Sequence, residues 1–268
     1  MLKRLRTIMV STVTFILIIY IIISAYYYFA QEKYIFFPEV LPEEFKFFYT
    51  QPFEEINFKT EKDIVINSLL FTVKEPKGLI LYFHGNAGSL MNWGDIAPDF
   101  TKNGFDILIF DYRSYGKSNG KLSQRSLYSD SLFIYEKMIQ RYGEKSIILY
   151  GRSIGTGIAA YTASKNDPAM LILESPYFSM KDLLKKYYPW LPSFLLRYQF
   201  RTDLYIVKAK YPVYLIHGSD DEIIDFSQSI KLKKILKKDN NLFGIPGGKH
   251  NDLRYTKEYQ YTLTKLLN

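Results

Sequence analysis

Residues 147–157 read IILYGRSIGTG. Four apolar residues lead directly into a Gly-x-Ser-x-Gly motif, and such a short continuous apolar run is typical of a strand covered on both faces by helices. Glycine on both sides of Ser153 allows a sharp turn from strand to helix, with the serine hydroxyl held at the helix N-terminus. The stretch therefore predicts a buried strand, a tight turn and a helix, with Ser153 as a candidate nucleophile.

The same stretch also fits a dinucleotide-binding pattern. Residues 155–160 read GTGIAA, which matches G-x-G-x-x-A, and Glu174 follows 19 residues after Gly155. In such a site the first glycine comes directly after the strand, because the turn itself wraps the phosphates. Here Gly155 lies four residues beyond Gly151, inside the predicted helix. Its placement favours the nucleophile over dinucleotide binding.

Strand-like and helix-like segments alternate on both sides of this motif. Two β-like runs, 55–60 and 64–73, are separated by charged turn residues and predict a hairpin. Further apolar runs follow, with helical patterns between them: the runs at 79–83, 107–110, 147–150, 170–173, 213–216 and 242–245, and the helices at 127–142, 154–164, 227–237 and after His250. This alternation predicts an α/β fold with a mostly parallel, doubly wound sheet.

The N-terminal segment has the composition of a membrane helix. Residues 7–31 contain no charged side chain, and as a helix residues 8–30 would run about 35 Å, enough to cross a hydrocarbon core of roughly 30 Å. Aromatic residues at 26–29 are typical of the membrane interface. A cleaved signal peptide is the alternative, but the apolar run is longer than usual for one and no small-x-small site precedes residue 31.

Charges flanking this segment predict its orientation. Lys3, Arg4 and Arg6 precede it, whereas the following flank is mainly acidic, with Glu residues at 32, 39, 43 and 44. The positive-inside rule then places the N-terminus in the cytoplasm and the remaining chain on the outer, periplasmic or exoplasmic, face. We expect a single-pass anchor over 1–31, a proline-punctuated linker over 32–52 and one domain over 53–268.

Composition limits the classes of function. The 268 residues are 47% hydrophobic and 23% charged, as in a globular protein with a core. There is no cysteine, which excludes disulfides, thiolate zinc sites and cysteine nucleophiles. The net charge of +8 is scattered, which suits an anionic lipid surface as well as a solvated one. No recognisable nucleic-acid module occurs, so no nucleic-acid partner is expected.

A serine nucleophile needs a general base, and the chain has three histidines. His84 and His217 each end an apolar run and precede glycine. His250 lies beyond the last predicted strand in GGKHND, residues 247–252, where the glycines could bring the imidazole back over the sheet. Elimination therefore favours His250 as the base.

An acid should orient that imidazole. Four carboxylates follow the strand that ends at His217, and their position fits the chain order nucleophile, acid, base. They are Asp220, Asp221, Glu222 and Asp225. Residue chemistry does not choose between Asp220 and Asp221.

Two backbone N–H groups are candidates for stabilising an oxyanion. Ile154 follows the serine at the start of the predicted helix, where the helix dipole adds to its N–H. HGNAG, residues 84–88, follows another strand and places Asn86 where a second N–H is needed. The alternative for Asn86 is an ordinary Gly-Asn turn.

Taken together, six ordered stretches resemble the α/β-hydrolase superfamily. More narrowly, they resemble its small, N-terminally anchored members, related to acyl-protein thioesterases and to monoacylglycerol or lysophospholipid lipases. The resemblance extends from about Phe53 to the C-terminus. The stretches are HGNAG at 84, DYRSYGKS at 111, GRSIGTG at 151, ESP at 174, HGSDDEII at 217 and GGKHND at 247.

This resemblance implies an α/β-hydrolase fold with Ser153, Asp221 and His250 as catalytic triad, since the family's acid is the last residue of H-G-x-x-D. It also implies oxyanion donors at Asn86 and Ile154. Where the family usually has glycine in Y-R-G-Y-G, this chain has Ser114, so the geometry of that turn is open.

Residues 178–211 leave room for only a short cap. Aromatic and aliphatic side chains alternate there with lysines and arginines, which suits an acyl groove facing a membrane as well as simple packing of the cap on the sheet. We expect hydrolysis of acyl esters or thioesters at a membrane lipid surface through an acyl-Ser153 intermediate, without metal or organic cofactor. The alternatives are a peptidase or amidase on the same triad and a non-catalytic, membrane-tethered binding protein. The oligomeric state stays open.

Overall fold

The computed structural model describes residues 2–207, 209–236 and 241–268. It begins with a long helix, α1 (Leu2–Ile35), followed by a domain of alternating strands and helices. The strands of the central sheet are β1 (Phe53–Glu61), β2 (Ile64–Phe71), β3 (Leu79–Phe83), β4 (Asp106–Phe110), β5 (Ile147–Arg152), β6 (Met170–Glu174), β7 (Val213–Gly218) and β8 (Leu242–Ile245). The helices after α1 are α2 (Leu90–Trp93), α3 (Ala97–Thr101), α4 (Gln124–Tyr142), α5 (Gly155–Ser164), α6 (Met180–Tyr187), α7 (Thr202–Ile206), α8 (Ser227–Leu236) and α9 (Lys257–Leu267).

Within the described residues, eight strands form one sheet in the order β8-β7-β6-β5-β3-β4-β2-β1. The strands β1 and β2 form an antiparallel hairpin, and β2 is antiparallel to β4. All other neighbours are parallel. The predicted hairpin and the mostly parallel sheet are confirmed.

Side chains of β3 alternate between two apolar clusters, one on each face of the sheet. Leu79, Leu81 and Phe83 belong to the cluster that includes α4, α5 and α8. Ile80 and Tyr82 belong to the cluster that includes α3 and α9. Every residue of β3 is buried, and each large apolar side chain removed from water contributes about 1.5–3 kcal/mol. This burial on both sides explains why the strand sequences are continuously apolar.

One helix begins earlier than the sequence predicts, and the predicted end of another lies outside the described residues. The helix predicted from residue 127 begins at Gln124, because Ser123 caps it: the Ser123 hydroxyl accepts from the Ser126 N–H, and the Ser126 hydroxyl accepts from the Ser123 N–H. Apolar periodicity alone does not detect such a polar first turn. The helix predicted over 227–237 is seen from Ser227 to Leu236, and Lys237 lies outside the described residues.

The helix α1 is long and apolar enough to cross a membrane. Most of its side chains are exposed, and its buried residues, Ser24, Ala30 and Gln31, lie in its C-terminal third. It continues four residues beyond Gln31 into the predicted linker. The chain that follows is attached to the domain, since Phe37–Pro38 pairs in parallel with Ala87–Gly88 after β3.

Candidate active site

Ser153 lies at the sharp turn between β5 and α5. Its φ angle is +53°, a left-handed conformation that costs a non-glycine residue about 1–3 kcal/mol. Hydrogen bonds hold the turn: the Ser153 N–H donates to the Glu174 carbonyl (2.9 Å), and the Thr156 hydroxyl donates to the Ser153 carbonyl (2.6 Å). The surrounding structure thus imposes the conformation that projects the serine side chain.

The two glycines of the motif are required by close packing. A Cβ at Gly151 would lie 2.8 Å from the carbonyl oxygen of Gly155 and from Cα of Thr156. A Cβ at Gly155 would overlap the carbonyl oxygens of Phe83 and His84 at the end of β3. The sequence predicts a glycine-dependent turn, but the positive φ angle belongs to Ser153 itself.

The structure brings Ser153, His250 and Asp221 together. His250 Nε2 lies 3.0 Å from Ser153 Oγ, and His250 Nδ1 lies 2.7 Å from Asp221 Oδ2. The other oxygen of Asp221 accepts from the backbone N–H groups of Ile223 (2.9 Å) and Ile224 (2.7 Å). All three side chains are buried within the described structure. A proton on Nδ1 facing the carboxylate leaves Nε2 free to accept the serine proton.

Of the neighbouring carboxylates, Asp221 is the one that reaches the imidazole. Asp220 is exposed, and its carboxylate accepts a hydrogen bond from the Ser219 hydroxyl at 2.7 Å. Glu222 Oε2 lies 3.4 Å from the His250 backbone nitrogen rather than near the ring. The tertiary structure therefore makes the distinction that residue chemistry left open.

His217 is a second hydrogen-bonding partner of Asp221. Sequence reasoning treated His217 only as the end of a strand. Its Nε2 lies 2.8 Å from the Ile224 carbonyl and 3.2 Å from Asp221 Oδ2, while its Nδ1 lies 2.7 Å from Ser229 Oγ. Burial by itself raises the pKa of Asp221, but the hydrogen bonds from His217 and His250 outweigh it and hold the pKa below its usual range. Asp221 is thus an ionised acceptor at neutral pH. The four-residue spacing from His217 to Asp221 was the available signal.

Arg152 connects the nucleophile turn to the loop that carries the base. Its Nη2 donates to the His250 carbonyl (3.0 Å) and to Asn251 Oδ1 (3.1 Å), and its Nε forms an ion pair with Glu174 Oε1 at 3.0 Å. Glu174 Oε2 in turn accepts from the hydroxyls of Tyr150 (2.6 Å) and Tyr259 (2.9 Å). Burial lowers the pKa of Arg152, but the Glu174 carboxylate more than compensates, so the guanidinium stays charged. Sequence reasoning missed this role, because Arg152 occupies a variable position of the motif.

The predicted oxyanion donors lie beside Ser153. Asn86 and Ile154 line the same cavity as the serine, and among the described residues neither backbone N–H donates a hydrogen bond to the protein. The Asn86 carbonyl accepts from the Phe37 N–H (2.8 Å) and the Tyr115 hydroxyl (2.7 Å). Its side-chain amide donates to the Ile35 carbonyl at 3.2 Å. These bonds fix the orientation of the loop after β3.

Among the described residues His84 has no hydrogen bond to Ser153, and its ring contacts the loop after β3 and Asp111 instead. Its Nδ1 lies 2.7 Å from the Gly85 carbonyl, and its Nε2 lies 3.5 Å from Asp111 Oδ1. Asp111 also accepts from the Leu90 N–H at 3.1 Å. Burial raises the pKa of Asp111, and the contact with His84 opposes this only in part. The His84 imidazole and the Asp111 carboxylate therefore lie close together and fully buried next to the loop after β3.

The turn at Ser114 keeps the left-handed conformation that glycine would favour. Its φ angle is +69°, and its hydroxyl donates to the Gly120 carbonyl at 2.9 Å. Such a bond contributes about 0.5–1.5 kcal/mol, comparable with the cost of roughly 1–2 kcal/mol for a non-glycine residue in this conformation. The hydrogen bond to Gly120 thus offsets much of the cost of a serine in this conformation.

A cavity of about 210 Å³ opens beside Ser153. Its walls come from the end of α1, from the predicted cap and from the loop after β7. Among the described residues, none that lines it is charged, and no cluster of three or more His, Asp or Glu side chains is arranged to hold a metal ion. The lining residues other than Ser153, Asn86 and Ile154 are Tyr27, Gln31, Tyr34, Ile35, Tyr177, Met180, Leu183, Leu184, Tyr187, Tyr188, Leu191, Leu195, Leu196, Ile223 and Ile224.

The sequence is similar to those of known hydrolases. Residues 74–205 match a hydrolase family model described as serine aminopeptidase, S33. The chain is 30% identical over 234 residues to uncharacterized protein R595 of Acanthamoeba polyphaga mimivirus, covering 78% of this chain and 79% of that protein. It is also 30% identical over 233 residues to the lysophosphatidylserine lipase ABHD12 of Danio rerio, covering 74% of this chain and 60% of the lipase. The chain thus spans less than two thirds of that lipase.

Solved structures share the fold at low sequence identity. An esterase of Pyrococcus furiosus superposes with a TM-score of 0.66 at 18% identity, covering 87% of this chain and 96% of the esterase. A monoacylglycerol lipase of Paleococcus ferrophilus superposes with a TM-score of 0.58 at 18% identity, covering 75% of this chain and 98% of the lipase. The likeness confirms the fold that the sequence motifs predict.

Proposed function

The chain belongs to the α/β-hydrolase superfamily, and on that premise we propose that it is a serine hydrolase that cleaves esters or thioesters of acyl lipids through an acyl-Ser153 intermediate. The observation that carries the proposal is the hydrogen-bonded series from Ser153 Oγ to His250 (3.0 Å) and from His250 to Asp221 (2.7 Å), which opens onto an uncharged cavity.

In this mechanism His250 Nε2 takes the Ser153 proton as the serine oxygen attacks the acyl carbon. The Asp221 carboxylate stabilises the imidazolium that forms, and the backbone N–H groups of Ile154 and Asn86 stabilise the oxyanion. The imidazolium then protonates the leaving alcohol or thiol, which departs and leaves the acyl-enzyme. Water, deprotonated by the same imidazole, attacks the acyl carbon; the imidazolium then protonates Ser153 Oγ as the acyl–oxygen bond breaks, which releases the acid and restores the serine hydroxyl.

The cavity favours an acyl substrate over a peptide. An aminopeptidase must bind a free ammonium group, for which a carboxylate is the usual partner. None of the described lining residues is acidic or basic, and most are aliphatic or aromatic. Burial of acyl methylenes against such walls contributes about 0.8 kcal/mol each. The lysophosphatidylserine lipase among the relatives has a substrate of this acyl-ester class.

Replacement of Ser153 tests the proposal. In detergent-solubilised full-length protein, Ser153→Ala should lower turnover of p-nitrophenyl butyrate by at least about 10⁴-fold, because the nucleophile is lost. It should also abolish labelling by a fluorophosphonate probe. The matched control is Ser164→Ala, an exposed serine at the end of α5, which should retain both activities. Full activity of Ser153→Ala, or no labelling of the wild-type protein, would overturn the proposal in favour of another nucleophile or a non-catalytic binding protein.

A further inference from the structure

One face of α1 forms a wall of the candidate active site. Tyr27, Gln31, Tyr34 and Ile35 line the same cavity as Ser153. Residues at these spacings lie on one side of a helix. A helix with the length and composition of a membrane anchor therefore contributes side chains to the site, rather than only holding the domain near a membrane.

Buried polar contacts fix α1 against the cap. The Gln31 side chain donates to the Leu195 carbonyl (2.8 Å) and accepts from the Arg197 N–H (2.9 Å), and it is buried. Glu32 forms an ion pair with Arg197 (2.9 Å) and accepts from the Tyr198 hydroxyl (2.9 Å). Separating α1 from the cap would break these hydrogen bonds, each of which contributes about 0.5–1.5 kcal/mol. The position of α1 is thus determined by the domain.

The end of α1 also connects to the loop that holds the Asn86 peptide. The Ile35 carbonyl accepts from the Asn86 side chain (3.2 Å), and the Phe37 N–H donates to the Asn86 carbonyl (2.8 Å). The pairing of Phe37–Pro38 with Ala87–Gly88 extends this contact. A shift of α1 would therefore move both the cavity wall and the proposed oxyanion donor.

The cap extends along α1 into its apolar run. The Tyr20 hydroxyl donates to the Trp190 carbonyl at 3.0 Å, and the Tyr27 and Trp190 rings lie 5.3 Å apart. Tyr20 is eleven residues before Gln31, which is about 16 Å along a helix. The cap exposes Phe194 (82%) and Trp190 (43%). Exposed aromatic residues beside an apolar helix are typical of the membrane interface.

We propose that α1 determines substrate specificity: the acyl chain of a single-chain lipid enters the cavity from the bilayer, with α1 and the cap as its walls, and its ester bond reaches Ser153 while the polar group stays at the surface. This inference rests on the proposed hydrolase function. The cavity of about 210 Å³ exceeds the roughly 150 Å³ that holds a benzene molecule, so it accommodates part of one acyl chain. One acyl chain is therefore the part of a lipid that the cavity holds.

The test compares two aromatic residues of α1 that are two positions apart. Full-length protein in phosphatidylcholine nanodiscs is assayed with monoacylglycerols of 8 to 18 carbons and with p-nitrophenyl butyrate. The quantity compared is kcat/KM for the 16-carbon substrate divided by kcat/KM for the butyrate ester. Tyr27→Ala should lower this ratio by about tenfold, because part of the apolar wall of the cavity is removed. Phe29→Ala, whose side chain is 74% exposed and outside the cavity, should leave the ratio unchanged.

A second variant with a larger side chain distinguishes a change in the cavity from a loss of folding in Tyr27→Ala. Tyr27→Trp narrows the cavity and should lower the same ratio, while the fluorophosphonate probe should still label Ser153. Equal ratios in the wild type, both Tyr27 variants and Phe29→Ala would overturn the proposal, provided that turnover still depends on Ser153. Turnover that persists in Ser153→Ala would instead contradict the proposed function.

Dilution of the substrate within the bilayer tests entry from the bilayer. At a constant total concentration of the 16-carbon monoacylglycerol, added phosphatidylcholine should lower the rate in proportion to the substrate's mole fraction in the membrane. A rate that follows only the bulk concentration would mean that the substrate arrives through water, and would overturn entry from the bilayer.

Discussion

At the scale of single residues, Asp221 is notable because one carboxylate serves two imidazoles and two backbone N–H groups. Oδ2 lies 2.7 Å from His250 and 3.2 Å from His217, while Oδ1 accepts from Ile223 and Ile224. A carboxylate with this many donors stays ionised in spite of burial. In the proposed mechanism this charge stabilises the His250 imidazolium.

We expect Asp221→Asn to lower kcat/KM for p-nitrophenyl butyrate by about 10³–10⁴-fold, because an amide cannot stabilise the imidazolium and favours the wrong tautomer of His250. Asp220→Asn is the matched control, since that neighbouring carboxylate is exposed and accepts from the Ser219 hydroxyl. Its activity should stay within about twofold of the wild type. Similar losses in both variants would contradict the assignment of Asp221.

The lowered pKa of Asp221 predicts how the stability of the folded protein depends on pH. The folded protein lowers the pKa of Asp221, so the stability that the ionised group contributes is complete above the ordinary aspartate pKa of about 3.9 and is lost as the pH falls towards the lower folded value. The difference in melting temperature between wild type and Asp221→Asn should be constant from pH 7 to 5 and shrink below about pH 4. A difference that grows on acidification would show that the sign is wrong.

At the scale of elements, Arg152 and Glu174 join β5, β6, α9 and the loop after β8. Tyr150 comes from β5, Tyr259 from α9 and the His250 carbonyl from the loop. An ion pair buried among these elements is costly to break, because the remaining charge would stay buried without its partner. The network thus sets the distance between the turn that carries Ser153 and the loop that carries His250.

Arg152→Lys retains the charge but loses the forked guanidinium geometry. We expect kcat for p-nitrophenyl butyrate to fall by about 10–100-fold with KM within about twofold, because the His250 loop is held less accurately while the acyl cavity is intact. Arg254→Lys is the control, since Arg254 pairs with Asp99 and does not contact His250. A change in KM alone would argue against a positioning role.

At the scale of the whole molecule, charge and length suggest how the chain sits in a membrane. Lys3, Arg4 and Arg6 lie in the first turns of α1, whereas the candidate site lies against its C-terminal part and the cap extends along it as far as Tyr20. We propose that the N-terminus is cytoplasmic and that the hydrolase domain faces outwards. The site would then lie at the outer membrane surface, where Phe194 and Trp190 of the cap are exposed.

The absence of cysteine makes this orientation directly testable. In cells that express Lys62→Cys, an exposed position in the hairpin turn, a membrane-impermeant maleimide should label the protein without permeabilisation. Lys3→Cys should be labelled only after permeabilisation. The reverse pattern would contradict the proposed orientation, and loss of residues 1–31 from the mature protein would favour a cleaved signal peptide.

Local sequence signals predicted much of the fold. The hairpin, the buried strands and the strand-turn-helix at Ser153 follow from apolar runs and glycine positions, which act over a few residues. The start of α4 was missed by three residues, because its first turn is polar and depends on the cap at Ser123. The sequence did not predict the geometry of the turn at Ser114. A hydrogen bond from the Ser114 hydroxyl to the Gly120 carbonyl supports that turn.

The sequence by itself determined the α/β architecture, the candidate nucleophile and the presence of an N-terminal segment long enough to cross a membrane, because these depend on periodicity and on residues close together in the chain. The motif resemblance already named Asp221 as the acid, but only the tertiary structure showed that its carboxylate contacts the His250 imidazole. The tertiary structure alone also decided that His217 and Arg152 support the site and that Tyr27 and Gln31 of α1 line its cavity. Those contacts join residues separated by up to about 170 positions, and they depend on which faces of the packed elements meet.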